Sequence, residues 1–302
     1  MAKMLILGSD GLVGSRCVEL LEKSNQLLLP KISKFDLTNK SSVKNYIKKN
    51  RDKFSIIVNF AAYTNVFEAE NQRGDKKGAC WKINVVGLKN LLSFIDTNKI
   101  HYIHISTDMV FPGSTKNPGP YSEDNKPETK SNKLSWYGFT KAEAERIVRS
   151  KFGNKATILR LIYPVRANYK LKPDYLRGPL ALFDEGKLYP MFVDQQVSIT
   201  DINEIGVALQ VIIEQRKSGI FHASSKNMGT PHKIISRLIE KSRGKKNAVK
   251  ESSLDEFLKE ADNKARYPKF GGLKVEKTEK KLGIKYSTWE SIVDKIAKEL
   301  KV

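Results

Sequence analysis

The amino terminus constrains the fold most. Lys3-Met4-Leu5-Ile6-Leu7 is a short apolar run that reads as a buried strand, and it empties into Gly8-Ser9-Asp10-Gly11-Leu12-Val13-Gly14. Val13, Cys17, Leu20 and Leu21 then recur at helical spacing. A strand, a glycine turn and a helix, in that order, form the setting in which a dinucleotide pyrophosphate binds. Gly8 permits the tight turn, Gly11 lets backbone approach the phosphates, and Gly14 lets the helix pack on the strand. Asp10 lies in the turn, and Leu12 and Val13 open the helix whose amino-terminal N–H groups and dipole favour an anion. The spacing is GxxGxxG rather than GxGxxG.

The following segments keep the same alternation. Asn25 to Leu29 reads as a second strand, closed by Pro30-Lys31 with no acid for a ribose 2′-hydroxyl. Lys31 and Lys34 either accommodate a 2′-phosphate, which favours NADPH over NADH, or are solvated loop residues. Phe35-Asp36-Leu37-Thr38-Asn39 precedes a helix from Val43 to Lys49, which Asp36 or Thr38 would cap; Asp36, beside Leu37, can also hold an adenine amino group. Ile56 to Phe60 is another strand, and the small residues of Ala61-Ala62-Tyr63-Thr64 after it allow close approach of a cofactor. Asn84, within an amphipathic helix from Trp81 to Leu92, either anchors backbone near the site or lies on the helix surface.

His101-Tyr102-Ile103-His104-Ile105 is again strand-like, placing Ser106 and Thr107 at a carboxyl end, where open α/β sheets bind ligands. Tyr137 and Lys141 stand four apart at the head of a helical run, so they share one face. An ammonium about 4.5 Å from a phenol, at an effective dielectric near ~20, favours phenolate by about 3.7 kcal/mol. Tyr137 is therefore expected to be acidified by Lys141 toward the range of a general acid, with burial opposing. Thr107, Tyr137 and Lys141 together suit reversible reduction of a ketone by hydride. On their own, a Tyr and a Lys at this spacing are as readily surface residues.

The alternation persists through a strand at Ala156 to Ile162, which predicts a doubly wound parallel α/β sheet. With 302 residues there is room for a second, smaller core. The expected division is a nucleotide-binding body over 1–164, to which 196–223 returns, and a small, mostly helical lobe from 165–195 and 224–302 that closes over a cleft. Residues 165–195 read as irregular, and Arg166, Tyr169, Lys170, Lys172, Tyr175 and Arg177 there suit a nucleotide diphosphate or an ordinary solvated connection. Helices are expected at about 231–242, 253–261 and 288–300.

The net charge of +21 comes mostly from scattered lysines without interleaved aromatics, which argues against specific nucleic-acid recognition. No apolar run approaches a membrane span. Cys17 and Cys80 are isolated, so neither a disulfide framework nor a metal site is expected, and Cys17 reads as core. A cytoplasmic monomer or homodimer is the expected setting.

These residues resemble the extended short-chain dehydrogenase/reductase superfamily and, within it, the dTDP-4-dehydrorhamnose reductase (RmlD-like) branch. The resemblance rests on Gly8-xx-Gly11-xx-Gly14, Asp36-Leu37-Thr38, Val58-Asn59-Phe60-Ala61-Ala62-Tyr63-Thr64 and Asn84. It continues through Ser106-Thr107-Asp108-Met109-Val110-Phe111-Pro112-Gly113, Tyr137-xxx-Lys141, Asp194-Gln195 and Arg266-Tyr267-Pro268. It implies a Rossmann body with a substrate lobe, and a catalytic trio of Thr107, Tyr137 and Lys141. Lys141 would also bind the nicotinamide ribose, while Ala61, Ala62, Thr64 and Ser106 would line the cofactor. The implied substrate is a nucleotide-linked deoxyhexose with a C4 ketone, in contact with Thr107, Asp108, Met109, Tyr163 and Arg266. The chain departs from the branch at Met109, Phe67 and Leu161-Ile162-Tyr163, near where a sugar would sit.

Other readings are an epimerase of the same superfamily, a non-catalytic regulatory subunit resembling the methionine adenosyltransferase β-subunit, and a charge-driven nucleic-acid binder. A dehydratase is disfavoured because Met109 stands where a second carboxylate would follow Asp108.

Overall fold

The structure, a computed structural model, describes residues 1–261 and 267–301. The chain runs β1 (Lys3–Leu7), α1 (Leu12–Leu21), β2 (Gln26–Leu28), α2 (Lys40–Asn50), β3 (Ile56–Asn59) and α3 (Val66–Glu70). Next come α4 (Ala79–Trp81) and α5 (Leu88–Leu92), joined by a π turn over Lys82–Gly87 into one helix. Then follow β4 (His101–Thr107), α6 (Trp136–Phe152), β5 (Thr157–Leu161), β6 (Pro164–Val165), α7 (Arg177–Asp184), β7 (Met191–Phe192) and β8 (Thr200–Asp201). The chain continues with α8 (Ile202–Glu214), β9 (Gly219–Ala223), α9 (Pro231–Arg243), β10 (Glu251–Ser252), α10 (Leu254–Glu260), α11 (Glu276–Leu282) and α12 (Trp289–Glu299).

The main sheet has the order β2-β1-β3-β4-β5-β9, and its β1–β2, β1–β3 and β3–β4 pairings are parallel. Chain direction across the sheet reverses at β1 and β3, so their carboxyl ends form the crevice in which open α/β sheets hold ligands. Every residue of β3, β4 and β5 is buried, as expected for strands covered on both faces. Cys17 is buried on α1 beside Gly14 and Leu21, matching its reading as core.

The chain divides into two compact units. The first comprises Met1–Phe111, Lys126–Arg160 and Gly206–Phe221; the second comprises Pro112–Asn125, Leu161–Ile205 and the chain from His222 onward. Segments 112–125 and 196–205, assigned above to the nucleotide-binding body, thus pack with the second unit. The first unit's core sets Leu5, Leu7, Val43, Ile57 and Tyr102 against Leu88, Leu91, Val148 and Phe152. The second is built on α9 and α12, whose Ile234, Leu238, Ile292, Val293 and Ile296 bury against Val165, Leu180 and Ile199. Two short parallel pairs, β6–β8 and β7–β10, accompany those helices.

Several details depart from the sequence expectation. Residues 165–195 are not irregular throughout: they contain α7 and β7. The two arginines there are engaged locally, since Arg177 pairs with Asp174 at 2.8 Å and donates to the Lys172 carbonyl, while Arg166 lies 4.7 Å from the Tyr169 ring. α11 was not anticipated, although its stop at Gly283, in the left-handed conformation, is a common helix end. Asn39, rather than Asp36 or Thr38, caps α2 by accepting from the Ser42 amide at 3.0 Å. Among the described residues no helix is long and apolar enough to cross a membrane.

One polar cluster is sealed into the first unit. Arg160 and Glu145 are both 0% exposed and form a bidentate pair at 2.8 and 2.7 Å, with the Ser106 hydroxyl donating to Glu145 at 2.6 Å. The Arg160 guanidinium also lies 4.9 Å from the Phe111 ring. Removing one partner strands a buried charge. Arg160→Met is therefore expected to lower the unfolding free energy by about 3–5 kcal/mol, and Arg160→Met with Glu145→Leu to recover most of it, measured by urea unfolding.

Candidate active site

β4 ends at Thr107, whose hydroxyl accepts from the Met109 amide and donates to Asp108 Oδ1, both at 3.2 Å. This caps a 3₁₀ turn over Asp108–Val110. The turn is pressed onto α6: a Cβ added at Gly138 would lie 2.1 Å from the Met109 carbonyl oxygen. Only glycine permits that approach, and it carries Thr107 to the helix bearing Tyr137. Ser135 caps α6 by accepting from Gly138 N at 3.0 Å, and Trp136 N donates to Glu70 at 2.9 Å. Half-buried Met109 packs beside Trp136, Tyr137 and Cys80.

Tyr137 is buried, with the Thr107 hydroxyl beside its phenol. Burial raises the phenol above its ordinary value, the Asp108 and Cys80 charges add to the rise, and the Thr107 hydroxyl opposes it. The expected acidification by Lys141 is not found: desolvation is the largest influence on the phenol, and the ammonium, turned toward β4, is not among the groups acting on it. Lys141, only 3% exposed, turns toward β4, donating to the Ile105 carbonyl at 2.7 Å and meeting His104 Nε2 at 3.4 Å. Burial lowers Lys141 to about 8, against the raising influence of Glu145 and Cys80. Tyr137 thus keeps its proton at neutral pH, as an acid must.

Asn84 sits in the π turn and works as an anchor. Its amide accepts from Tyr63 N at 2.8 Å and donates to Tyr63 O at 3.2 Å and to Thr140 Oγ1 at 2.9 Å. Thr140 in turn donates to the Tyr137 carbonyl at 2.8 Å. The Ala61–Thr64 loop and the helix bearing Tyr137 are thereby tied through one side chain. The Tyr63 hydroxyl is engaged elsewhere, donating to Glu68 at 2.7 Å.

The glycine turn fits a dinucleotide. Gly8 has φ +71°, and a Cβ there would lie 2.7 Å from Ala61 N; one on Gly14 would lie 2.1 Å from Gly8 O. Gly11 precedes α1 and supplies no side-chain cap, so the helix begins directly at the glycine turn with Leu12, Val13 and Gly14 in its first turn. Asp10 lies in the turn between. Asp36 accepts from the amide and hydroxyl of Thr38 at 2.8 Å, and Leu37 O accepts from Asn90 at 2.9 Å. Lys31 is exposed in the loop after β2.

Ser106 and Tyr163 have partners of their own. The Ser106 hydroxyl faces Glu145 rather than a cofactor surface, because its donor is spent on that buried carboxylate. Tyr163 belongs to the second unit, where it has φ +36° and stacks on Tyr175 at 4.2 Å. Arg266 lies outside the described residues. Sequence reasoning missed His104, Glu145, Arg160 and Gly138. A charged residue mid-strand (Arg160) and an acid four residues after Lys141 were the available signals.

A family model, the RmlD substrate binding domain, matches residues 2–302. The chain belongs to that family. A dTDP-4-dehydrorhamnose reductase from Aggregatibacter actinomycetemcomitans is 26% identical over 306 residues, covering 98% of each chain. A probable low-salt glycan biosynthesis reductase from Haloferax volcanii is 24% identical over 300 residues, covering 94% of each. Among solved structures, dTDP-4-dehydrorhamnose reductase from Bacillus anthracis, in complex with NADP, superposes with a TM-score of 0.80 at 22% identity over 100% of both chains. The fold of this family is therefore that of the present chain.

The buried ammonium has a measurable consequence. Between about pH 8 and 10.5 the unfolded chain holds a proton on Lys141 that the folded one releases, so its contribution to stability rises with pH across that window. Below that window both states are protonated and the cost of burial is felt in full. The unfolding free energy of the wild type relative to Lys141→Met is expected to rise between those two pH values; a constant difference would mean the amine is solvated.

Proposed function

We propose that this chain is an NADPH-dependent reductase of the C4 ketone of a nucleotide-linked deoxyhexose, acting in nucleotide-sugar biosynthesis. The single observation that carries the reading is buried Tyr137 beside Thr107 at the end of β4, with Lys141 one turn along the same helix. The names of the relatives, reductases of dTDP-linked ketosugars among them, point the same way.

NADPH supplies the hydride when bound. Gly8, Gly11 and Gly14, with Asp10, Leu12 and Val13, would hold the pyrophosphate at the α1 amino terminus. Asp36 and Leu37 would border the adenine, Ala61 to Thr64 the nucleotide, and exposed Lys31 the 2′-phosphate. Thr107 Oγ holds the ketone oxygen beside the phenol. As charge develops on that oxygen, Tyr137 transfers its proton, because a secondary alkoxide is a stronger base than a phenolate. Lys141 stabilises the phenolate left behind and takes the nicotinamide ribose with its remaining N–H. Asp108 and Met109 border the sugar. The reading extends to a cytoplasmic monomer or homodimer.

Purified protein given a dTDP-4-keto-6-deoxyhexose is expected to consume NADPH faster than NADH. Tyr137→Phe should lower kcat by about 10²–10⁴-fold while leaving NADPH affinity, measured by fluorescence titration, nearly unchanged. Wild-type turnover in Tyr137→Phe would exclude the mechanism, and bound cofactor that is never consumed would favour epimerisation.

A further inference from the structure

Behind Lys141 lies a row of buried polar side chains that the reaction as written does not use. His104 is 2% exposed on β4, and its Nε2 faces Lys141 Nζ at 3.4 Å. Its other nitrogen, Nδ1, faces the Tyr102 hydroxyl at 3.4 Å. Tyr102 accepts from Asn59 Nδ2 at 3.0 Å, and Asn59 Oδ1 accepts from Ala61 N at 3.1 Å. The register explains the row: Asn59 of β3 pairs directly with His104 of β4, and Tyr102 is two residues before His104, on the same face. A run of hydrogen bonds thus joins the catalytic amine to the first residue of the loop proposed to line the cofactor.

We propose that His104 is a positioning residue for Lys141, an imidazole whose Nε2 accepts one ammonium proton and holds the amine against β4. The inference rests on the reading that Lys141 serves the cofactor. A charged amine can only donate, so the ring must carry its proton on Nδ1. The Ile105 carbonyl takes a second proton, and the third is left for the ribose. Burial, and then the Lys141 charge, holds His104 well below its ordinary value, so the ring stays an acceptor through the neutral range. The titratable groups acting on Lys141 are Glu145 on its own helix, Cys80 from α4 and His104 from β4. Asp108 acts on Tyr137, and Arg160 neutralises Glu145. Among these only His104 meets the amine as an uncharged nitrogen acceptor.

Imidazole-¹⁵N spectra of the whole protein, with His104→Gln assigning the signal, decide the matter without any turnover. His104 is expected to remain neutral on acidification through the ordinary histidine range, with its proton on Nδ1. Its Nε2 resonance is expected to move in Lys141→Met. The Nε2–H tautomer, an imidazolium forming between about pH 6 and 7, or a resonance indifferent to Lys141→Met would overturn the inference. A kinetic arm separates positioning from packing. His104→Leu should move the alkaline limb of kcat/KM for ketone reduction down by about one pH unit, because the ammonium loses an acceptor. His104→Gln, which still offers an amide oxygen, should restore the limb. A His104→Leu protein that only melts earlier, with its limb unmoved, counts against positioning. Should the spectra hold while no ketone is reduced, the reductase reading fails and the His104 contact stands.

Discussion

An ammonium sealed between a helix and a strand is the constraint to which the rest of the first unit answers. Lys141 is almost wholly buried, and an isolated buried charge is strongly unfavourable. The surroundings offset this in two ways. Acceptors on β4, the Ile105 carbonyl and His104, take its protons directly. One turn along α6, Glu145 supplies a counter-charge that is itself held by Arg160 and Ser106. The residual imbalance leaves the amine at about 8, where its charge remains sensitive to what binds beside it.

Tyr137 shares that dry environment with the opposite consequence. Desolvation favours neutral forms, so it acidifies the amine and makes the phenol harder to ionise. For reduction of a ketone this is the useful pairing: a phenol that stays protonated until an alkoxide forms, next to an amine that can stabilise the phenolate produced. Close backbone approach makes the arrangement possible. Gly138 lets the Asp108–Val110 turn touch α6, and Gly8 with Gly14 lets the first strand, the Ala61 turn and α1 meet at the point where the sheet order reverses.

What could be read from the sequence followed the range of the interactions. The strand, glycine turn and helix at Lys3–Leu21 are local, and their structure was legible there. So was the shared face of Tyr137 and Lys141, a consequence of helical spacing alone. The Tyr137 acidity was misjudged because it depends on how much protein covers the ring, which four-residue spacing does not report. Ser106 was assigned to the cofactor because its partner, Glu145, is 39 residues away. His104 went unread for the same reason: its neighbour Asn59 is set by the β3–β4 register. In the second unit the charged, aromatic 165–185 stretch resembled a ligand-binding loop, yet Asp174 and backbone carbonyls consume much of its positive charge within an ordered turn and helix.

The claim that joins these observations is that hydride reaches the C4 carbon of a sugar ketone while Tyr137 supplies the proton to its oxygen. Reduction with NADPH deuterated at the nicotinamide C4 tests it most directly, with the product read by NMR and mass spectrometry. The account predicts one deuterium on the sugar C4 carbon and none elsewhere, transferred from one face of the nicotinamide. A product whose C4 hydrogen derives from solvent, or a sugar recovered with no label at all, would contradict it.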